Sequence, residues 1–227
     1  GLRKDLILKA IEDSLRRLNT DYVDFYVCHY PDPDTPIEET LGALDELVRA
    51  GKVRYPGCSR FDSWRLCEAL HAGEQHGFAP FVSNQLQYGL LDRRIEDELV
   101  RFCTLREISI TVFASTAIGL LSGRFRYGRP PDPGTSWARG PYNYRVAMTP
   151  KVDEIVQALI DIGARHDRTP TQLAMAWCLR QPAVASVIIG ADTPERVREN
   201  LAAADWTLPD DEWQRLNDLT ESQRIVI

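Results

Sequence analysis

Five short runs of β-branched and aromatic residues, each followed by helical spacing, constrain this chain more than any other feature. They occupy residues 22–28, 53–58, 81–86, 108–114 and 186–189. Before the first of them, residues 4–18 place Ile7, Ile11, Leu15 and Leu18 on one stripe, the spacing of an amphipathic helix. Pro36, followed by Glu38 and Glu39, opens a second helix that Gly51 stops. Asp62 is a candidate N-cap for a third helix, closed by Gly77, and Asp92 opens a fourth that runs to about Leu105. Further helices are predicted over 152–166, from Thr169-Pro170-Thr171-Gln172 to Leu179, from Thr193 at N-cap and Pro194 at N1 through Ala203, and from Asp210 onward. The strands are apolar on both faces, as in parallel sheets covered by helices.

Two architectures compete for this pattern: an open doubly wound sheet and a (β/α)8 barrel. No G-x-G-x-x-G follows any strand, which weakens the first. Polar residues gather where strands finish: His29, Ser59, Asn84 with Gln85, Ser115 and Gly190. Barrel enzymes build their sites on that rim. Residues 119–150 break the rhythm with Gly, Pro, Arg and Tyr, and read as a functional loop or a disordered one.

Composition excludes several classes. The 227 residues suit one large α/β domain or two small ones, and the formal net charge is −6 from 27 basic and 33 acidic side chains. No dense Lys/Arg run marks a nucleic-acid footprint. No apolar run is long enough to span a bilayer, and the first residues are not a signal peptide. The five cysteines show neither CxxC nor Cys/His ligand spacing, so reduced, mostly buried thiols in the cytoplasm are expected, with no metal site.

Several longer stretches resemble the aldo-keto reductase family, nearly from residue 1 to residue 220. They are LRRLNTDYVDFYVCHYPDPDTPIEETLGALDELVRAGKVRYPGCSRF, SNQLQYGLLDRR, GLLSGRF and IIGADTPERVRENL, in the family's order. The resemblance implies a (β/α)8 barrel that binds NADP(H), or less often NAD(H), and reduces aldehydes and ketones to alcohols. About five of the eight βα units are present, so residues 1–227 are expected to form one barrel-type domain, incomplete on its N-terminal side. The family's Asp, its proton-donating Tyr and its Lys would lie before Gly1, and no residue here is assigned to them.

Residue by residue, the resemblance assigns His29 to the substrate carbonyl. Counting by twos, Val23, Phe25, Val27 and His29 share a face, which would turn the imidazole inward. Read without the resemblance, His29 is a structural histidine capping a strand. Ser59 and Gln85 match the family's contacts to the nicotinamide carboxamide, with Arg60 standing where relatives carry Asn. Phe113 takes the place of a Tyr stacked on the nicotinamide. Gly119 and Leu121 belong to a loop over the pyrophosphate. Gly190 and Thr193 open a helix whose N-terminus attracts phosphate. Glu199 and Asn200 match adenine contacts, and Arg196 also faces the nucleotide. Asp192 stands where relatives that prefer NADPH carry Arg or Ser, a carboxylate that Arg196 or Arg198 could offset.

The expected partner is a small carbonyl substrate, with no nucleic acid and no membrane. A homo- or hetero-oligomer could cover the open barrel edges. The alternative is a non-redox relative: a cofactor-binding or scaffold subunit, or a barrel using His29 as acid or base. A truly truncated chain would bind no cofactor at all.

Overall fold

The computed structural model describes residues 1–190 and 192–221. Contacts divide the chain into two compact units, Gly1–Leu86 with Glu98–Thr111, and Gln87–Asp97 with Val112–Ile227. The strands hydrogen-bond in the order β1-β2-β3-β4-β5.

The first unit contains α1 (Lys4–Leu18), β1 (Val23–Cys28), α2 (Ile37–Arg49), β2 (Val53–Ser59), α3 (Ser63–His76), most of β3 (Ser83–Gln87), α4 (Leu99–Leu105) and the start of β4 (Ser109–Phe113). Helix α1 buries Ile7, Ile11 and Leu15, and Asn19 ends it in the left-handed region at φ 53°. The fourth apolar position of its stripe, Leu18, is exposed in the last turn. Helix α2 buries Leu41, Leu44 and Leu47, and α3 buries Leu66 and Ala69. Gly77 closes α3 at φ 67°, whereas Asp62 precedes it without a side-chain cap bond.

β1 and β2 pair in parallel with Phe25 opposite Tyr55, Val27 opposite Gly57 and Cys28 opposite Cys58. β2 and β3 pair with Cys58 opposite Asn84 and Ser59 opposite Gln85. Paired residues of parallel strands share a face, so Val27, Gly57, Ser59 and Gln85 lie on one side. Asn84 and Cys58 lie on the helix-covered side, both fully buried. A Cβ on Gly57 would come within 2.7 Å of Ser83 Oγ, so glycine lets these strands close up. Burial on both strand faces was expected and is met on one only. Phe25 and Tyr55 are 55% and 51% exposed, their rings 5.6 Å apart, because no described element covers the face they share.

The second unit begins with the segment at residues 87–97, where the sequence reading is corrected. Asp92 does not open a helix. It closes an isolated antiparallel bridge with Gly89, and its buried carboxylate accepts from Arg94 Nε and Nη2, both at 2.8 Å. A 3₁₀ turn follows at Arg94–Glu96, and α4 starts only at Leu99. Arg93 grips Glu96 at 2.9 and 2.8 Å and donates to Asn217 O at 2.9 Å, while Tyr88 donates to Glu96 at 2.7 Å.

The remainder carries α5 (Ser136–Arg139), α6 (Tyr144–Ala147), α7 (Pro150–His166), α8 (Pro170–Leu179), β5 (Val184–Val187), α9 (Pro194–Leu201) and α10 (Asp210–Thr220). Thr149 caps α7 and Thr169 caps α8, the latter in a capping box with Gln172. Every residue from Leu173 to Cys178 is buried, as suits a helix apolar on all sides. β5 lies two residues earlier than its predicted run at 186–189, and Ile188 N–H donates to Val112 O at 2.8 Å. Helix α9 stops at Leu201 instead of Ala203.

Residues 119–150 are not the structureless stretch that their composition suggests. Phe125, Trp137, Tyr144 and Met148 are buried. Trp137 packs tilted at 50° against Tyr142, centroids 5.3 Å apart, and meets Tyr144 edge-on at 6.2 Å. Trp137 Nε1 donates to Ile118 O at 3.1 Å, and Tyr144 OH donates to Arg126 O at 3.0 Å. Arg126 holds Asp153 through two bonds of 2.7 and 3.0 Å, which keeps that carboxyl below its ordinary pKa. Aromatic burial replaces regular structure as the source of order here.

Two outcomes follow for stability. A Cβ on Gly163 would lie 2.3 Å from Arg168 O and 3.1 Å from Leu173 Cδ1. Gly163→Ala should therefore cost about 1–3 kcal/mol by overpacking, read as a lower urea midpoint with unchanged slope. Trp137→Phe removes the donor to Ile118 O and should cost about 1–2 kcal/mol, with faster amide exchange at Gly119 to Leu121. An unchanged midpoint in either variant would contradict the packing described.

Candidate active site

At the carboxyl ends of β1, β2 and β3, the first unit assembles a small polar rim. Ser59 is fully buried, and its hydroxyl donates to Gln85 O at 2.9 Å. Arg60 N–H donates to the same carbonyl at 3.0 Å, with Arg60 in the left-handed region at φ 62°. The proton of Ser59 is thus committed to the backbone, and its oxygen is closed off from solvent. Gln85 itself is half-buried. Asn84 turns to the other face, where its side chain exchanges bonds with Phe61 O at 2.8 Å and Phe61 N at 3.4 Å.

His29 follows the last residue of β1 and is exposed. Its ring lies 4.7 Å from that of Tyr30, and the Arg60 guanidinium sits 4.8 Å over the Tyr30 ring. β1 ends at Cys28, opposite Cys58, so His29 stands one residue past the paired register. Its neighbour Cys28 is no nucleophile for it, since burial pushes that thiol up to about 12.

The second unit holds a cleft of about 1010 Å³. Its walls come from the loop after β4, the segment leading into α5, the start of α8, and the β5–α9 turn. Gly119, Gly190, Arg196, Glu199 and Asn200 all line it. Over Gly190 there is open space, as an added Cβ would meet nothing within 4 Å. Asn200 is buried and donates to Gly190 O at 2.8 Å, pinning the turn to the helix. Thr193 accepts from Arg196 N at 3.3 Å, the predicted N-cap bond. Arg196 pairs with Asp192 at 2.7 Å.

Leu121 is fully buried and does not line the cleft; its N–H donates to Thr116 O at 3.1 Å. Phe113 is half-buried, and its carbonyl accepts from Tyr88 N–H at 3.4 Å.

The loop after β4 contains a feature invisible to sequence reading. Ala114, Ala117 and Ile118 have φ of 54°, 52° and 54°, and Gly119 has 79°. Left-handed conformations at non-glycine residues are strained, and such strain persists only where its surroundings impose it. The bond from Trp137 to Ile118 O supplies part of that imposition. Sequence reading also missed Ser122, Arg124, Phe125, Thr171 and Met175 as lining residues. The Thr169-Pro170-Thr171 run carried a signal for a helix start and none for a cleft.

Among the described residues, no group of three or more His, Cys, Asp and Glu is placed to hold a metal ion, and no helix is long and apolar enough to cross a membrane. All five cysteines are free.

The chain resembles known proteins in sequence and in fold. An aldo-keto reductase of Alternaria alternata is 33% identical over 227 residues, covering 99% of this chain and 60% of its own length. The NADH-specific methylglyoxal reductase of Escherichia coli K12 is 34% identical over 225 residues, covering 98% of this chain and 66% of its own. A thermostable aldo-keto reductase, solved in complex with the inhibitor epalrestat, superimposes with a TM-score of 0.76 at 31% identity, over 96% of this chain and 67% of that one. The chain thus spans about two thirds of the length of these relatives, and its parallel strands with their helices are part of the (β/α)8 barrel. The profile of the aldo/keto reductase family matches residues 1–221, and the chain belongs to that family.

Proposed function

We propose that this chain carries the nucleotide-binding and carbonyl-facing parts of an NAD(P)H-dependent reductase that converts an aldehyde or ketone to an alcohol. One observation carries the reading. Gly119, Gly190, Arg196, Glu199 and Asn200 are far apart in sequence, were assigned to one ligand by resemblance, and line a single cleft. Its volume of about 1010 Å³ suits a ligand of dinucleotide size. The open backbone at Gly190 and Gly119 fits close approach by a phosphate.

When bound, the reduced nicotinamide supplies the hydride. What remains for the protein is to orient the acceptor and stabilise the charge that forms on its oxygen. His29 is proposed for that task, because an imidazole N–H on the rim at the end of β1 can donate to a carbonyl oxygen. Gln85 would hold the carboxamide, with Ser59 positioning it through the bond to the Gln85 carbonyl. Arg60 would act through its place over Tyr30, since a guanidinium cannot both donate and accept as the family's Asn does. Phe113 would offer a π face for stacking. Gly119 would border the pyrophosphate, and Thr193 would shape the turn at α9; Leu121, buried and bonded to Thr116 O, is left out of the contact. The five free cysteines support a reducing compartment, the cytoplasm. Resemblance by itself favours the phosphorylated dinucleotide.

A second reading, a cofactor-binding subunit without reductase chemistry, draws on Ser59, whose proton is committed to Gln85 O. The two separate on turnover. Methylglyoxal, named for the Escherichia coli relative, is the natural first probe, followed by loss of nicotinamide absorbance. His29→Ala should cut turnover by about 10²-fold or more while dinucleotide affinity, from fluorescence titration, changes less than about twofold. A collapse of affinity in this variant would make His29 structural. Binding without turnover in the unaltered chain would favour the second reading.

A further inference from the structure

The segment at residues 119–150 carries a second hollow, built from residues that the cleft does not use. A groove of about 1020 Å³ is lined by residues 127–131 and by residues between 141 and 148. It shares no lining residue with the cleft. The buried Tyr144 and Met148 line it, and Tyr144 is fixed by the bond from its hydroxyl to Arg126 O. Tyr127 and Tyr142 line it too, and keep 55% and 36% of their surface exposed. Aromatic rings left partly open to water in a concavity are the usual substance of a ligand surface.

Prolines narrow what the groove can recognise. Pro130, Pro131 and Pro141 line it and have no N–H to offer, so its backbone is poor in donors. Polar recognition falls mainly to the side chains of Arg129 and Arg145. Both are exposed, and among the described residues neither forms an ion pair. Asp153 feels the charge of Arg129, but its oxygens are already taken by Arg126 and by Tyr127 N–H. No Asp or Glu lines the groove, although the whole chain carries a formal charge of −6. Two uncommitted guanidiniums and three tyrosines thus stand together with no carboxylate among them.

We propose that this groove binds an aromatic carboxylate of small size. The ring of such a ligand packs on tyrosine and proline faces, and its carboxylate accepts charge-assisted bonds from Arg129 or Arg145. A neutral aromatic forfeits those bonds, and an organic cation is repelled. The site is separate from the cleft, and it stands whether or not that cleft receives a dinucleotide.

The chain has two methionines, and they report on the two sites separately: Met148 lines the groove and Met175 the cleft. With methyl-labelled methionine, each gives its own NMR signal. Titration of the full chain with 2-naphthoate should shift the Met148 signal saturably through the ring current and leave that of Met175 in place. Arg129→Gln combined with Arg145→Gln should weaken this binding about tenfold or more, and the neutral analogue 2-naphthalenemethanol should bind the unaltered chain weaker by a similar factor. Both arginines are exposed, and matching melting curves confirm that the variant folds. A shift at Met175 alone, or at neither methionine, overturns the proposal. Equal binding of the neutral analogue, or undiminished binding by the double variant, also overturns it, because the groove would then select for apolar surface and not for the anion.

Discussion

Parallel pairing in strict register is the constraint from which the rest follows. A parallel strand cannot return through a tight turn, so each must be followed by a crossover, here a helix, and all carboxyl ends then fall on one edge. In the first unit this puts Ser59 level with Gln85 and sets His29 one residue beyond the Cys28–Cys58 pair. The register leaves little tolerance: a side chain at Gly57 would strike Ser83 Oγ. Shifting β2 by one residue would send Ser59 to the helix side and bring Cys58 to the rim.

In the second unit the corresponding edge is built by other means. Its cleft depends on a strained loop after β4 and on a turn after β5 that Asn200 ties to Gly190 O. The strain at Ala114, Ala117 and Ile118 is offset by burial around it, with Trp137 donating to the loop while packed among Tyr142 and Tyr144. The segment at residues 119–150 is therefore part of the cleft's scaffold. Its aromatics secure the backbone that a ligand would face, which links packing energy to binding geometry.

The legible parts of the fold were those with a single local cause. Helix α1 could be read from its stripe, α8 from Thr169-Pro170 and Gln172, and the start of α9 from Thr193-Pro194, because caps and periodicity act within a few residues. The failures came where distant partners decide. Asp92 looked like a cap, but Arg94 and the bridge to Gly89 claim it. Residues 119–150 looked empty because aromatic clustering has no period. In the site, polar residues at strand ends were visible, yet the commitment of Ser59 to the Gln85 carbonyl and the pairing of Arg196 with Asp192 depend on three-dimensional neighbours. The resemblance named positions; the geometry says which of their atoms are still available.

Hydrogen exchange of the chain with and without saturating NADH addresses most directly whether the cleft of the second unit receives the nucleotide. Slower exchange concentrated in residues 114–123 and 188–201, with little change in α7 and α10, is the expected result. Protection centred on α7 and α10, or none at all with ligand present, would contradict it.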